Sequence, residues 1–328
     1  MTRDRPKVNG YSDEVRFVDH RAVGASFCIA LSILGSSRAG IDSSGVKLPP
    51  VEARFNDFTQ LQTRLFQEHL PHQRTADIIS KAYAVQFRTF QSPANIPRLA
   101  ELDVQLLFRA ADATLFYTDD RAFLRDMILD TSELEKRKAD CQVQYADLFN
   151  AFVATRMFGA ARAVATKHPS IVMARLPKFR DVSSGGRAGP TAMDLSSDER
   201  QLWRRDFRLS MPAQVVIVAS PVCHFCEAAV IDIERDPHMR AVLQQHAIWL
   251  APPDSSIPFD AVADWNRSYP AAPMKLAYSF REWPVLDRWD TPTFYFLERG
   301  RVVSEFSGWS SQKSKGQLRA ALRHIGFL

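Results

Sequence analysis

Glycine is scarce in this chain, 13 residues in 328, and cysteine is scarcer still at four. That supply excludes a small scaffold stapled by disulfides, and equally a collagen-like or glycine-rich low-complexity architecture. Long hydrophobic runs are also missing: the longest candidate, "AVGASFCIALSIL" from Ala22 to Leu34, is thirteen residues, against the about 20 that a membrane-spanning helix needs. Nor is there an excess of one charge. Forty-two Lys and Arg stand against 37 Asp and Glu, a formal net charge of +5. The basic residues are scattered among acids, with no stripe interleaved with aromatics, so no nucleic-acid partner is expected. What is present, 46% hydrophobic and 24% charged residues, describes a soluble globular protein long enough for two folding units.

The short apolar run has a layout of its own. Arg3, Arg5, Lys7, Arg16 and Arg21 precede it, and Ser37-Arg38-Ala39 follows it as a small-x-small cleavage site, the order of a secretory signal peptide. Asp4, Asp13, Glu14 and Asp19 reduce the positive bias of the leading segment. Residues 1–39 are therefore expected to be a signal peptide or a short uncleaved anchor. A periplasmic or otherwise exported protein follows in either case, tethered to the membrane in the second.

From Val51 to about His168 the apolar residues recur at helical spacing. "FNDFTQLQTRLFQEHL" aligns Phe55, Phe58, Leu61, Leu65 and Phe66, and "LAELDVQLLFRAADATLFY" aligns Leu99, Leu102, Leu106 and Leu107, each giving one apolar face. Asp119–Asp120 and Thr131–Ser132 are read as N-caps that restart helices. An all-α region over 50–169 is predicted. Within it "YADLFNAFVATRMFGAARAVATKHP" is similar to one helical hairpin of the tetratricopeptide type, without a repeating period along the chain. The serine-, glycine- and proline-rich stretch "RDVSSGGRAGPTAMDLSSDE" then reads as part of a linker spanning 170–200.

Beyond it the rhythm changes. "AQVVIVAS", "AIWLAP" and "MKLAYSF" read as strands separated by helical segments, and "TPTFYFLERGRVVSEFSGW" as a hairpin turning at Glu298-Arg299-Gly300-Arg301 before a closing helix. An α/β fold with a mixed sheet is predicted for 201–328.

At the end of the first strand stand Cys223 and Cys226 in "CHFC". A structural zinc site needs a second pair of ligands at matching spacing, and past the apolar run only Cys141, in the helical region, remains. A disulfide between residues three apart closes almost no loop and stabilises little. Redox chemistry is instead helped by that closeness. A thiolate at the first turn of a helix is stabilised by unpaired N–H groups, with the second thiol in reach to resolve a mixed disulfide.

Three features in order, namely strand-"CHFC"-helix, the loop "DTPTF" leading into a strand, and the hairpin "FYFLERGRVVSEFSGW" before a terminal helix, resemble the thioredoxin-like superfamily from about Ala213 to Leu328. The resemblance implies a thiol–disulfide oxidoreductase in which Cys223 attacks and Cys226 resolves. Thr291 and Pro292 then match the position that holds a substrate chain through a cis-proline; the alternative is an ordinary trans proline at a strand start. The departures are Val222 in place of an aromatic before the first cysteine, no carboxylate in "AQVVIVASPV", and an apparent insertion in "DSSIPFDAVADWNRSYPAAP". That insertion either shapes a groove near Trp265, Trp283 and Trp289 or is simply packed. His224 and Phe225 are candidates for tuning the pair; His224 is either a thiolate stabiliser or a spectator, and Glu227 opposes a thiolate.

No cofactor or metal is expected, because the electrons reside in the sulfurs. The expected partners are proteins with cysteines, a redox partner, and a protein bound by the helical region. The competing reading is a helical partner-binding or assembly protein with an auxiliary thioredoxin-like domain, in which case changing both cysteines leaves the activity intact. Whether the pair oxidises, reduces or isomerises is open.

Overall fold

Helix-forming sequence and a tyrosine–carboxylate core build the first half of the structure. This computed structural model describes residues 50–171, 173, 175–185, 189–253 and 259–328; the signal-like segment, Cys28 and residues 254–258 of the apparent insertion lie outside the described residues. Six α-helices come first: α1 (Val51–Glu68), α2 (His72–Phe87), α3 (Glu101–Thr118), α4 (Arg121–Lys136), α5 (Gln142–Ala154) and α6 (Phe158–Lys167). Phe58, Ile79, Tyr83, Phe87, Leu107 and Met127 are fully buried between them, with Phe58 edge-on to Phe87 at 5.4 Å between ring centroids. Two hydrogen bonds between buried side chains cross this core. The Tyr83 hydroxyl donates to Asp126 Oδ2 at 2.9 Å and Gln91 Nε2 to Asp130 Oδ2 at 2.8 Å.

Asp120 caps α4 as read from the sequence, its Oδ1 accepting from the Ala122 N–H at 2.9 Å. Thr131 and Ser132 do not restart a helix. Both lie inside α4, and their hydroxyls donate back to the carbonyls of Met127 and Ile128 at 2.9 and 2.8 Å, the intrahelical alternative open to hydroxyl residues in place of capping.

The stretch read as a linker is also different from expectation. It contributes β1 (Lys178–Asp181) and β2 (Thr191–Leu195), and β3 (Gln201–Asp206) follows at once. Then come β4 (Ala213–Val218), α7 (His224–Glu234), α8 (Pro237–His246), β5 (Ala247–Ala251), α9 (Phe259–Ser268), β6 (Met274–Ala277), β7 (Thr293–Glu298), β8 (Arg301–Ser307) and α10 (Ser311–His324). The strands make one eight-stranded mixed sheet in the order β1-β3-β2-β6-β5-β4-β7-β8. Composition missed the added strands because their order rests on a buried arginine. Arg204 of β3 pairs with Asp181 at 2.7 Å and Glu282 at 2.6 Å, donates to Thr191 Oγ1 at 2.8 Å, and lies 3.6 Å over the Tyr278 ring. A guanidinium buried this way is tolerated because its donors are met.

The tryptophans in and near the apparent insertion divide. Trp265 and Trp283 are core, their indole N–H groups donating to Ala272 O at 2.9 Å and Thr191 O at 3.2 Å. Truncating such a side chain costs about 3–5 kcal/mol in comparable cores. Trp289 remains partly exposed.

The β7–β8 turn is the two-residue loop Arg299–Gly300, with φ of 50° and 80°, the pattern of a type I′ hairpin. At Gly300 a Cβ would also sit 3.1 Å from the Leu209 carbonyl oxygen. Helical and sheet regions belong to one compact unit. Arg156, at the α5–α6 corner, donates to the carbonyls of Tyr278 and Ala277 at 3.0 and 2.8 Å, and the His72 N–H donates to Asp287 O at 2.6 Å.

One partly buried carboxylate gives a pH signature. Asp112 of α3 is pushed up to about 7, first by burial and then by the Asp147 carboxylate of α5. A folded-state value above the unfolded one contributes stability at low pH that is lost as pH rises through the folded value. Asp112→Asn is expected to melt with the wild type near pH 4 and above it at pH 8. The gap should open over roughly pH 4–7; thermal melts across that range check this, and a pH-independent gap would contradict it.

Candidate functional site

The sheet register places the cysteine pair. β4 is an unbroken β-branched run whose Val215 to Val218 are fully buried, as expected of a central strand. It pairs antiparallel with β7 from Ala213↔Glu298 to Val218↔Thr293. The residues leaving the end of β4 are therefore opposite those entering β7. Thr291–Pro292, a cis peptide bond in this structure, faces the turn that carries Cys223.

That turn is held by hydrogen bonds of its own. The Ala219 N–H donates to Leu250 O at 3.0 Å and the Cys223 N–H to Ser220 O at 3.2 Å. Cys223 occupies the N-cap of α7 with extended backbone, φ −93° and ψ 113°. Its carbonyl accepts from the N–H groups of Cys226 and Glu227 at 2.9 and 3.0 Å. The opposing loop is fixed on both flanks: Thr293 Oγ1 donates to Asp290 O at 2.7 Å, and the Gly308 N–H to Pro292 O at 2.8 Å.

Both cysteines are free thiols here, with opposite environments. Cys223 is half-buried and Cys226 fully buried. The Cys223 Sγ–H donates to the Thr291 carbonyl oxygen at 3.4 Å, a contact available only to the protonated thiol. On ionisation other donors take over. The Cys226 thiol is the largest influence, joined by the Thr291 side chain and the backbone N–H groups of Cys226 and Phe225; against the opposing effect of burial they hold Cys223 down to about 5. Burial pushes Cys226 far above the ordinary thiol range, and the neighbouring Cys223 pushes it further. One sulfur is a thiolate at neutral pH and the other its hydrogen-bond donor.

The sequence-predicted residues Cys223, Cys226, Thr291 and Pro292 thus lie together. His224 and Phe225 lie beside them as an exposed ring pair, centroids 3.9 Å apart. Neither makes a hydrogen bond to the sulfurs through its side chain among the described contacts. Val222 is 63% exposed and Phe225 48%, so an apolar collar surrounds the half-buried thiol. Cys141 belongs elsewhere, buried at the start of α5 with its thiol pushed up by burial.

Sequence reading missed the support behind α7. Asp232 accepts from Trp309 Nε1 at 3.1 Å and from Lys315 Nζ at 2.9 Å, tying α7 to α10. The available signal was a carboxylate on the apolar face of "EAAVIDIE". Because Asp232 is held below the ordinary carboxylate range by these partners, with burial opposing, it acts as an anchor for the helix.

Among the cysteines of the described residues, alkylation of the reduced protein should show one reactive thiol, Cys223, with a rate that rises with a midpoint near pH 5. Since the Cys226 thiol is the leading stabiliser, Cys226→Ala is expected to move that midpoint up by more than Cys226→Ser, which keeps a donor. Iodoacetamide kinetics against pH would check both; an unchanged midpoint in the alanine variant would contradict the assignment.

No protein-family model matches this sequence, and no curated protein matches it. Among solved structures it is similar to an exposed lipoprotein thioredoxin from Streptococcus pneumoniae, with 13% identity and a TM-score of 0.29 over 40% of this chain and 98% of that one. It is likewise similar to a thioredoxin-like protein from Bacteroides caccae, with 13% identity and a TM-score of 0.27 over 88% of this chain and 99% of that one. At TM-scores this low the likeness bears no functional weight.

Proposed function

We propose that the chain is a thiol–disulfide oxidoreductase whose thioredoxin-like domain, 201–328, carries the Cys223–Cys226 pair and whose helical region, 50–169, packs beside the site. The observation that carries this reading is the division of the two sulfurs. Cys223 is half-exposed and held down to about 5, while Cys226 is buried and protonated one turn inside α7. Support for the thioredoxin-like assignment comes from the sheet order β5-β4-β7-β8 with α7 after β4 and α10 after β8.

The chemistry balances without a cofactor. The Cys223 thiolate attacks one sulfur of a substrate disulfide, forming a mixed disulfide and expelling the other sulfur as a thiolate. Cys226 then loses its proton to the departing thiolate or to solvent and attacks Cys223 Sγ. The second substrate thiolate leaves, and two electrons have passed from the dithiol to the substrate. Run in reverse, the Cys223–Cys226 disulfide oxidises a substrate dithiol. Burial is the first cause of the raised Cys226 value and the Cys223 thiolate the next, so in the mixed disulfide, where Cys223 carries no negative charge, Cys226 loses its proton more readily. In either direction a second thiol or disulfide protein resets the pair.

Export belongs to the same proposal, resting on the layout of residues 1–39. Among the described residues no helix is long and apolar enough to cross a membrane.

The roles of the sulfurs are unequal and can be read from trapping. Cys226→Ser is expected to accumulate Cys223 in mixed disulfides with its substrates, whereas Cys223→Ser should trap nothing. Non-reducing electrophoresis of the two variants from the producing cells decides this. Adducts in the Cys223 variant alone, or equal adducts in both, would overturn it.

A further inference from the structure

A cavity of about 210 Å³ opens beside the reactive loop, where the α1–α2 corner and the end of α3 meet the segment 280–290. Its floor includes Leu65 and Thr75, its wall Phe280 and Trp289, and its rim Phe66 and Phe116. Phe66 is 71% exposed and Phe116 37%. Two large apolar side chains left in solvent at the mouth of one cavity mark a place where apolar surface is recognised. For comparison, an apolar cavity of about 150 Å³ already admits benzene.

The cavity is walled by packed rings and an ion pair. His72 packs its ring on Phe280 with centroids 3.9 Å apart, and its backbone N–H donates to Asp287 O at 2.6 Å. Phe280 in turn meets Trp289 edge-on at 5.0 Å. Of the charged groups that line it, Arg288 and Asp290 neutralise one another at 2.8 Å. Burial lowers His72 to about 4, with Asp290 opposing, so its imidazole is neutral at physiological pH.

Its position relative to the sulfur decides what it is for. Asp290 lines the cavity, and the next residue, Thr291, accepts the hydrogen bond from Cys223 Sγ. Trp289 is two residues from Thr291, so their Cα atoms are within about 8 Å. An extended polypeptide bound at Cys223 covers about 7–14 Å in two to four residues, a reach that matches the separation of Thr291 from Trp289.

We propose that this cavity is a specificity subsite that receives an aromatic side chain of the substrate polypeptide, two to four residues from the cysteine that reacts with Cys223. The assignment rests on the oxidoreductase reading and adds the substrate class: polypeptides with an aromatic residue near the reactive cysteine. It also gives the helical region a part in the chemistry, since Leu65, Phe66, Thr75 and Phe116 all come from it.

The test uses the reduced full chain and symmetric disulfides of short peptides that carry one cysteine and, two, three or four residues to either side, Trp or Ala. Each turnover forms the Cys223–Cys226 disulfide and releases two peptide thiols, which are counted. In the wild type the best Trp peptide is expected to react roughly tenfold or more faster than its Ala partner, the scale set by burying much of an aromatic side chain. In the surface variants Phe66→Glu and Phe116→Glu that ratio should fall towards one. A ratio near one in the wild type, or a preference that survives both variants, would overturn the subsite while leaving the oxidoreductase reading in place. Failure of the Trp and Ala peptides alike to react would remove that reading and the subsite with it. A small apolar fluorophore that occupies the cavity without slowing the Trp peptide would also overturn the proposal, marking the cavity as a small-molecule site.

Discussion

The antiparallel pairing of β4 with β7 is the constraint on which the rest of this structure depends. Through Val218↔Thr293 it sets the end of one buried strand against the start of another, and so decides that the turn carrying Cys223 meets the loop carrying Thr291. Everything chemical is then local. The helix that begins at Cys223 supplies N–H groups, the buried Cys226 supplies a thiol donor, and the facing loop supplies the Thr291 side chain. A one-residue slip in that ladder would send Val215 and Ile217, which share a core with Cys226, to the opposite core of Val216 and Val218, and it would move Cys223 relative to Thr291, so the sulfur geometry depends on the register.

Energetically the site works by division between two chemically identical groups. Burial alone raises a thiol, as it does at Cys226 and at Cys141. At Cys223 the donors outweigh burial. Stabilising the thiolate favours the reduced form above about pH 5, because the disulfide has no charge to stabilise. The same donors that hold Cys223 as a thiolate would therefore make a Cys223–Cys226 disulfide easier to reduce. The anchoring of α7 through Asp232, Trp309 and Lys315 keeps the helix N-terminus in place while charge appears and disappears there.

Much of this was legible in the chain. The continuous run "AQVVIVAS" marks a central strand, the spacing of "CHFC" marks a cysteine pair at a helix start, and Arg299–Gly300 between apolar runs marks a hairpin. The strands β1 and β2 were not legible. Their segment is rich in serine and glycine, and it joins the sheet through Arg204, whose partners Asp181 and Glu282 are far apart in sequence. Thr131 and Ser132 misled because hydroxyl residues serve equally as caps and as back-bonded helix residues, and only the neighbouring carbonyls decide. The aromatic cavity escaped for a related reason: Phe66, Phe116 and Trp289 lie on three separate segments, and helical periodicity assigns the first to an apolar face without showing that the face is left uncovered.

The central claim is that Cys223 and Cys226 form one reversible two-electron couple set by a stabilised thiolate. The most direct measurement is the equilibrium of the purified protein with glutathione buffers, read by the state of the two thiols. A single reversible Cys223–Cys226 couple, with a potential above the about −270 mV of thioredoxin, is the expected result. Failure of the two sulfurs to form a disulfide with each other under any buffer ratio, or a potential well below that value, would contradict it.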